Sequence, residues 1–250
     1  MDSASCIRII HPPTDTEPFV ILDKPSGLPS APLHPGEESA YTQAAARYPG
    51  LDAVCGKKTV EHGLVHRIDT ATRGILLIAA TQEYYAYLLD VQQRGLFIKH
   101  YHAICTCRPD CREQLGAFPP APAAVTENGF EGTITSYFRP YGERGRAVRP
   151  VTAQAGKAAR RKASPALYST EVSLHRNAGI WEAACCISRG YRHQVRCHLA
   201  WLGFPIQGDS LYAPGTREGD AFCFTAESLR FPDEKTHKEH FFSIKSSIST

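Results

Sequence analysis

The chain has 250 residues, 42% of them hydrophobic and 21% charged, with a net charge of +3, which is ordinary for a soluble globular protein with one large or two small domains. No apolar run approaches the roughly 18 residues that a membrane-spanning helix needs. Nine cysteines, an odd count that includes adjacent Cys185 and Cys186, together with a start that has neither a basic nor an apolar signal region, predict reduced thiols in a cytoplasmic protein. Phe19-Val20-Ile21-Leu22 reads as a short core strand, followed by the turn Lys24-Pro25-Ser26-Gly27. A proline-rich loop leads to Ser39, the expected N-cap of a helix that runs to about residue 48 and stops at Pro49-Gly50. A strand is predicted over 74–80, then Thr81 caps a helix to about residue 94, with Gly95 as its stop. Residues 98–105 and 130–138 read as strands, and 167–174 and 180–187 as a strand pair joined by Arg176-Asn177-Ala178-Gly179. A helix over 192–202 carries Val195, Leu199 and Leu202 on one face and ends at Gly203, before short strands over 222–231 and 240–244. Strands outnumber helices and do not alternate with them. The pattern predicts an α+β fold with a mixed, mainly antiparallel central sheet and flanking helices.

Charge is unevenly placed. Residues 139–162 hold eight basic side chains and the single acid Glu143, a net +7, which leaves −4 for the rest of the chain. The segment is rich in Gly, Ala and Pro and lacks apolar periodicity, so it reads as a flexible basic loop that touches a phosphate backbone. A solvated insertion is the plainer alternative.

Several chemistries are excluded by spacing. The stretch 50–58 has its glycines one residue too far apart for a phosphate-binding loop, and Lys58 stands where a magnesium-binding hydroxyl belongs. His66-Arg67-Ile68-Asp69 lacks the glycine-rich and Asp-Phe-Gly partners of a kinase, and no Gly-x-Ser-x-Gly elbow occurs. Cys105, Cys107 and Cys111, with His100 and His102 nearby, do not match paired Cys-x-x-Cys zinc spacing, so no metal site is expected.

Two dense segments carry the chemistry. The first runs from His62 through His66-Arg67-Ile68-Asp69-Thr70-Ala71-Thr72-Arg73-Gly74 into the apolar run Ile75-Leu76-Leu77-Ile78. A carboxylate on a loop that feeds a rigid core strand is held without a metal, as a nucleophile or base must be. The bland alternative is that Asp69 caps a turn and Arg67 pairs with it at the surface. The second is Ser188-Arg189-Gly190-Tyr191-Arg192-His193-Gln194-Val195-Arg196, continuing to Gly208-Asp209-Ser210-Leu211-Tyr212. Arg192 and Arg196 fall one helical turn apart, so both can point into one cleft; the bland alternative is a helix whose arginines are solvated.

Together these segments resemble the RluA-type family of pseudouridine synthases, whose signatures run His-Arg-Leu-Asp-x-x-Thr-Ser-Gly-Leu, then Gly-Arg-Thr-His-Gln-Ile-Arg-x-His-Leu, ending in Gly-Asp-x-x-Tyr. Lys24-Pro25-Ser26-Gly27 resembles the family's early Lys-Pro-x-Gly, and Lys99-His100-Tyr101-His102-Ala103 its Lys-x-Tyr-x-Ala strand. Arg73, the Tyr191-Arg192 pair and the basic segment depart from the pattern. The resemblance implies a pseudouridine synthase-like catalytic domain over 19–250, with an N-terminal extension over 1–18 and a basic insertion over 139–162. It implies an isomerase that turns uridine in ribosomal or transfer RNA into pseudouridine without a cofactor. The sequence offers no obvious dimerisation element, so a monomer is expected. Asp69 matches the essential aspartate; burial alone would disfavour its charged form, and Arg196 is expected to pair with it. Tyr101 would stack on the uracil and take its C5 proton, and Val195 would wall the base. Because a stacked base is unreachable, the uridine must be flipped out. Arg67 would fill the gap or hold the displaced phosphate, and His66, Arg192 and Lys24 would contact RNA. A non-catalytic RNA-binding or ribosome-assembly factor on the same fold is the alternative. A nucleoside glycosidase is a further one, which ordinarily needs a second, matched carboxylate.

Overall fold

Two strands buried along almost their whole length organise the first part of the chain in a computed structural model, which describes residues 6–244. Phe19–Lys24 (β2) pairs antiparallel with Arg8–His11 (β1) on one side and with Arg73–Ala79 (β3) on the other, in a register that sets Phe19 opposite Ala79 and Lys24 opposite Gly74. β3 runs parallel to Phe224–Pro232 (β9), and β9 turns back antiparallel into Glu239–Ser243 (β10). Side chains two apart share a face, so Phe19 and Ile21 with Ile75, Leu77 and Ala79 form one core against Tyr84, Tyr85, Leu88 and Val91 of the helix Gln82–Gln93 (α2). Ser39 caps Ala40–Arg47 (α1) through a reciprocal capping box with Thr42, and Thr81 caps α2 by accepting from the Tyr84 amide.

Gly74 lies where β3 meets β9. Its φ is +140°, and a Cβ there would sit 2.3 Å from the Ala226 carbonyl oxygen, so only glycine fits this crossing.

These elements belong to one compact unit, formed by the chain up to Lys99 together with the chain from Thr225 onward; a second unit spans His100–Phe224. In the second, the sheet order is Ile98–Cys105 (β4), Ile180–Ile187 (β8), Tyr168–Asn177 (β7), Phe130–Tyr141 (β5) and Ala147–Val151 (β6). β7 and β8 are joined by Ala178 and Gly179, both at positive φ (47° and 86°), the two-residue turn whose twist suits a hairpin. The helix Gln194–Leu202 (α5) is buried on every side, and its Cys197 and Ala200 pack with Phe138, Val148 and Tyr212. Cys111–Leu115 (α3) and Lys157–Arg161 (α4) are short helices. With β5–β6, β5–β7 and β7–β8 antiparallel, and β3–β9 parallel, the fold is α+β with a mixed, mainly antiparallel sheet. Among the described residues, no helix is long and apolar enough to cross a membrane.

Two expectations are corrected here. The basic segment is not one irregular loop. It holds the end of β5, a 3-10 turn at Glu143–Gly145, β6 and α4, and Pro140 pairs across to Val148. Arg149 within it is buried, donating to the carbonyls of Leu115 (2.7 Å), Gly116 (2.8 Å) and Val148 (2.9 Å), so it serves the fold and not a phosphate. The helix expected from residue 192 starts at Gln194, because His193 takes a left-handed conformation at φ +56°. Arg192 therefore lies outside the helix. Its guanidinium donates to the carbonyls of Gly145 and Ala147 and does not share a cleft-facing turn with Arg196.

Candidate active site

The loop that carries Asp69 is bound through its main chain to the turn after β2. Ser30 Oγ donates to the Ile68 carbonyl at 2.7 Å and accepts from the Ile68 amide at 3.1 Å. The Thr70 carbonyl takes the Gly27 amide at 2.8 Å and Lys24 Nζ at 3.0 Å, and Ser26 Oγ donates to the Ala71 carbonyl at 2.6 Å. The Thr72 amide closes a turn on the Asp69 carbonyl at 3.0 Å. The peptides on both sides of Asp69 are thus fixed before any substrate arrives, which is the preorganisation a reacting carboxylate needs.

Lys24 was expected to contact RNA; its surroundings say otherwise. It is fully buried, and its three ammonium protons go to the carbonyls of Leu28 (2.6 Å), Pro25 (2.9 Å) and Thr70 (3.0 Å). Burial pushes its pKa down to about 8, while the carboxylates of Asp69 and Asp23 pull the other way. It is a clamp on the loop.

His66 is turned toward β3, where Nε2 accepts from the Leu77 amide at 3.2 Å. The ring is half-buried, but both nitrogens are shielded, Nδ1 without a partner, and burial followed by the Lys99 charge pushes the pKa down to about 3. The imidazole is therefore neutral, with its proton on Nδ1. Arg67 is exposed and its Nη1 pairs with Glu61 Oε1 at 2.9 Å. The bland alternative, an Arg67–Asp69 surface pair, is replaced by this contact. Arg73, where the family pattern has a small residue, forks onto Asp23 at 3.3 and 2.9 Å, with Arg8 adding a third bond at 3.3 Å.

In the second unit, Arg196 is buried and gripped by Asp209 through Nε and Nη2, both at 2.7 Å. The guanidinium also lies over the rings of Phe222 (5.2 Å) and Tyr212 (5.3 Å). Asp209 is itself fixed, accepting from the Leu211 and Tyr212 amides at 2.9 and 3.1 Å. Val195, in the same helix, is buried. Gln194 accepts from the Tyr191 amide and donates to the Ser169 carbonyl and Thr170 Oγ1, which pins the start of α5 to β7. Tyr101 on β4 is buried and stacks on Phe224, ring centroids 5.2 Å apart. Asp209, Ser26, Ser30 and Gln194 were not assigned roles from sequence. Each lies inside a quoted motif or next to one, and that is the signal that pointed to them.

Cys105 and Cys111 are buried and Cys107 is exposed; Cys111 Sγ donates to the Tyr212 carbonyl at 3.3 Å.

A strand-fed loop presenting a carboxylate and a buried helix presenting a gripped arginine define a class that comparison makes specific. Residues 18–201 match the family model described as RNA pseudouridylate synthase, and the chain belongs to that family, as an RluA-type member. It is 31% identical over 196 residues to an uncharacterized RNA pseudouridine synthase of Chloroflexus aurantiacus, covering 77% of this chain and 51% of that protein. It is 26% identical over 231 residues to ribosomal large subunit pseudouridine synthase D of Zymomonas mobilis, covering 90% and 62%. The chain thus spans between half and two-thirds of the length of these two relatives. Among solved structures it is similar to human RNA Pseudouridylate Synthase Domain Containing 1, with TM-score 0.63, 19% identity, and coverage of 97% of this chain and 84% of that one. That likeness supports the fold.

Proposed function

We propose that the protein is an isomerase that converts uridine in RNA to pseudouridine, with residues 19–250 working as its catalytic domain. The observation that carries this reading is the set of main-chain bonds from Lys24, Ser26, Gly27 and Ser30 that immobilises the Asp69 loop, in a chain of this family. The C1′–N1 bond of a flipped-out uridine breaks, the uracil turns, a C1′–C5 bond forms, and the C5 proton is lost as N1 gains one. Atoms and charge balance, so no cofactor is called for. Asp69 acts as the nucleophile or base on the sugar, and Arg196, held by Asp209, supplies positive charge to the reaction. Tyr101 stacks on the uracil and receives the C5 proton, and Val195 walls the base. Arg67 holds the displaced backbone, and the cations exposed on the basic segment add affinity that weakens with salt. Arg192 steadies the turn of the basic segment through the Gly145 and Ala147 carbonyls, and His66 ties the Asp69 loop to β3 through the Leu77 amide. Ribosomal and transfer RNA are the substrate classes, the protein acts as a monomer, and its compartment is the cytoplasm.

The test is to incubate the purified protein with ribosomal and transfer RNA and to analyse the digested nucleosides by chromatography. Pseudouridine should appear with no free uracil. Released uracil would favour a glycosidase, and RNA bound without either product would favour a non-catalytic binding factor.

A further inference from the structure

The second unit contains a cavity of about 310 Å³ beside the basic segment, and neither Asp69, Tyr101, Val195 nor Arg196 lines it. Phe118, Pro119 and Pro120 line it together with Arg139, Thr152, Gln154 and Ala159. This is the lower end of the size range of small-molecule pockets.

The walls are braced from behind. Trp201 Nε1 donates to the carbonyls of Pro119 (3.1 Å) and Pro120 (2.9 Å). Buried Arg149 lies over the Phe118 ring at 4.5 Å and over Tyr141 at 4.1 Å, while bonding the carbonyls of Leu115 and Gly116. Ala117, between them, is held at φ +58°, a conformation that a non-glycine residue keeps only when its surroundings impose it. A rigid apolar slot is therefore built next to charge. Ala159 belongs to α4, whose Lys157, Arg160 and Arg161 are exposed, as are Lys162 and, on the β5–β6 turn, Arg144 and Arg146; Glu143 is the acid among them.

From this juxtaposition of a braced aromatic–proline slot with exposed cations, we propose that the cavity is a subsite for one unpaired nucleotide of the bound RNA, other than the uridine that reacts. The base enters between Phe118 and the proline walls. Thr152 and Gln154 offer hydrogen-bonding groups to its edge, and Arg139 with the α4 cations meets the phosphates. Flat apolar walls beside a basic surface are how single strands are held with little sequence preference, since every base has a π-face. The proposal rests on the reading of the protein as RNA-acting.

Ala159→Trp fills the slot from a helix surface without touching a charge. Fluorescence anisotropy would compare it with the wild type on two probes: a short unstructured RNA of adenines and cytosines, and a blunt RNA duplex of equal length. The single strand should bind the variant about tenfold more weakly, with unchanged salt dependence, and the duplex equally well. Equal single-strand affinity, equal losses on both probes, or no single-strand binding by the wild type would overturn it. Phe118→Leu, which stays apolar but removes the aromatic face, should give a smaller loss in the same direction. Binding needs no turnover, so this result and the pseudouridine assay can fail separately.

Discussion

Arg196 and Asp209 are joined by two hydrogen bonds of 2.7 Å, both partners buried and thirteen residues apart in sequence. A guanidinium has five N–H donors, and this fork commits two of them on one edge, which orients the remainder of the group. Arg196 is thus set in direction before it meets anything else.

Asp209→Asn keeps the shape but removes the charge that Arg196 answers. Breaking a buried pair from one side should lower unfolding stability by about 3 kcal/mol, read from urea denaturation. Pseudouridine formation should fall with it. An unchanged midpoint would show that the pair contributes nothing.

Asp69→Asn should fold, and bind RNA, like the wild type. Pseudouridine formation should drop about a thousandfold or more, because an amide neither attacks carbon nor takes a proton. Activity near the wild-type level in single-turnover assays would remove Asp69 from the mechanism.

Lys24→Met tests the clamp. The Leu28 and Pro25 carbonyls lose their donor, while Thr70 keeps the Gly27 amide. Stability should fall by about 2 kcal/mol, and kcat should suffer more than RNA affinity, because the loop is loosened and no RNA contact is removed. A variant with normal kcat and weakened RNA binding would restore Lys24 to the RNA-contacting role.

His198 is wholly buried, between Ser136 Oγ (3.0 Å) and Thr170 Oγ1 (2.9 Å), and burial pushes its pKa down from 6.5 to about 3. Between those values the unfolded chain binds a proton that the folded protein refuses, so stability is lost as pH falls from about 6.5. The slope from this group is at most about 1.4 kcal/mol per pH unit. Chemical denaturation at pH 6.5 and 4.5 should show a smaller difference for His198→Gln than for the wild type. Equal differences would mean that His198 takes up its proton as readily in the folded protein as in the unfolded chain.

Thr72 is buried, and its hydroxyl has no hydrogen-bond partner. Thr72→Val should therefore be neutral or raise stability by about 1 kcal/mol. If it also keeps activity, the hydroxyl has no part in the reaction; a stable but inactive variant would place it against substrate.

Most elements were legible because their signals are local. Ser39 and Thr81 announce helices through caps, and the alternation of 98–105 reappears as a strand whose odd positions, Lys99, Tyr101, Ala103 and Cys105, are buried. β1, β6, α3 and α4 were not read. β1 and β6 are short, four and five residues, and take their order from a partner strand rather than from their own pattern. Of the candidate site, the motifs pointed to the Asp69 loop and to the helix that carries Arg196. They did not reveal which charges serve the fold: Lys24 and Arg149 look like RNA contacts in a sequence, and only their carbonyl partners distinguish them.

The bonds that hold the Asp69 loop close on peptide oxygens, while the side chains of Thr70 and Ala71 stay in solvent. What those two positions carry can therefore change without displacing their neighbour. A library randomised at 70 and 71 should be populated by folded, active proteins that differ in which strand they prefer, making this short arc a natural dial for retargeting.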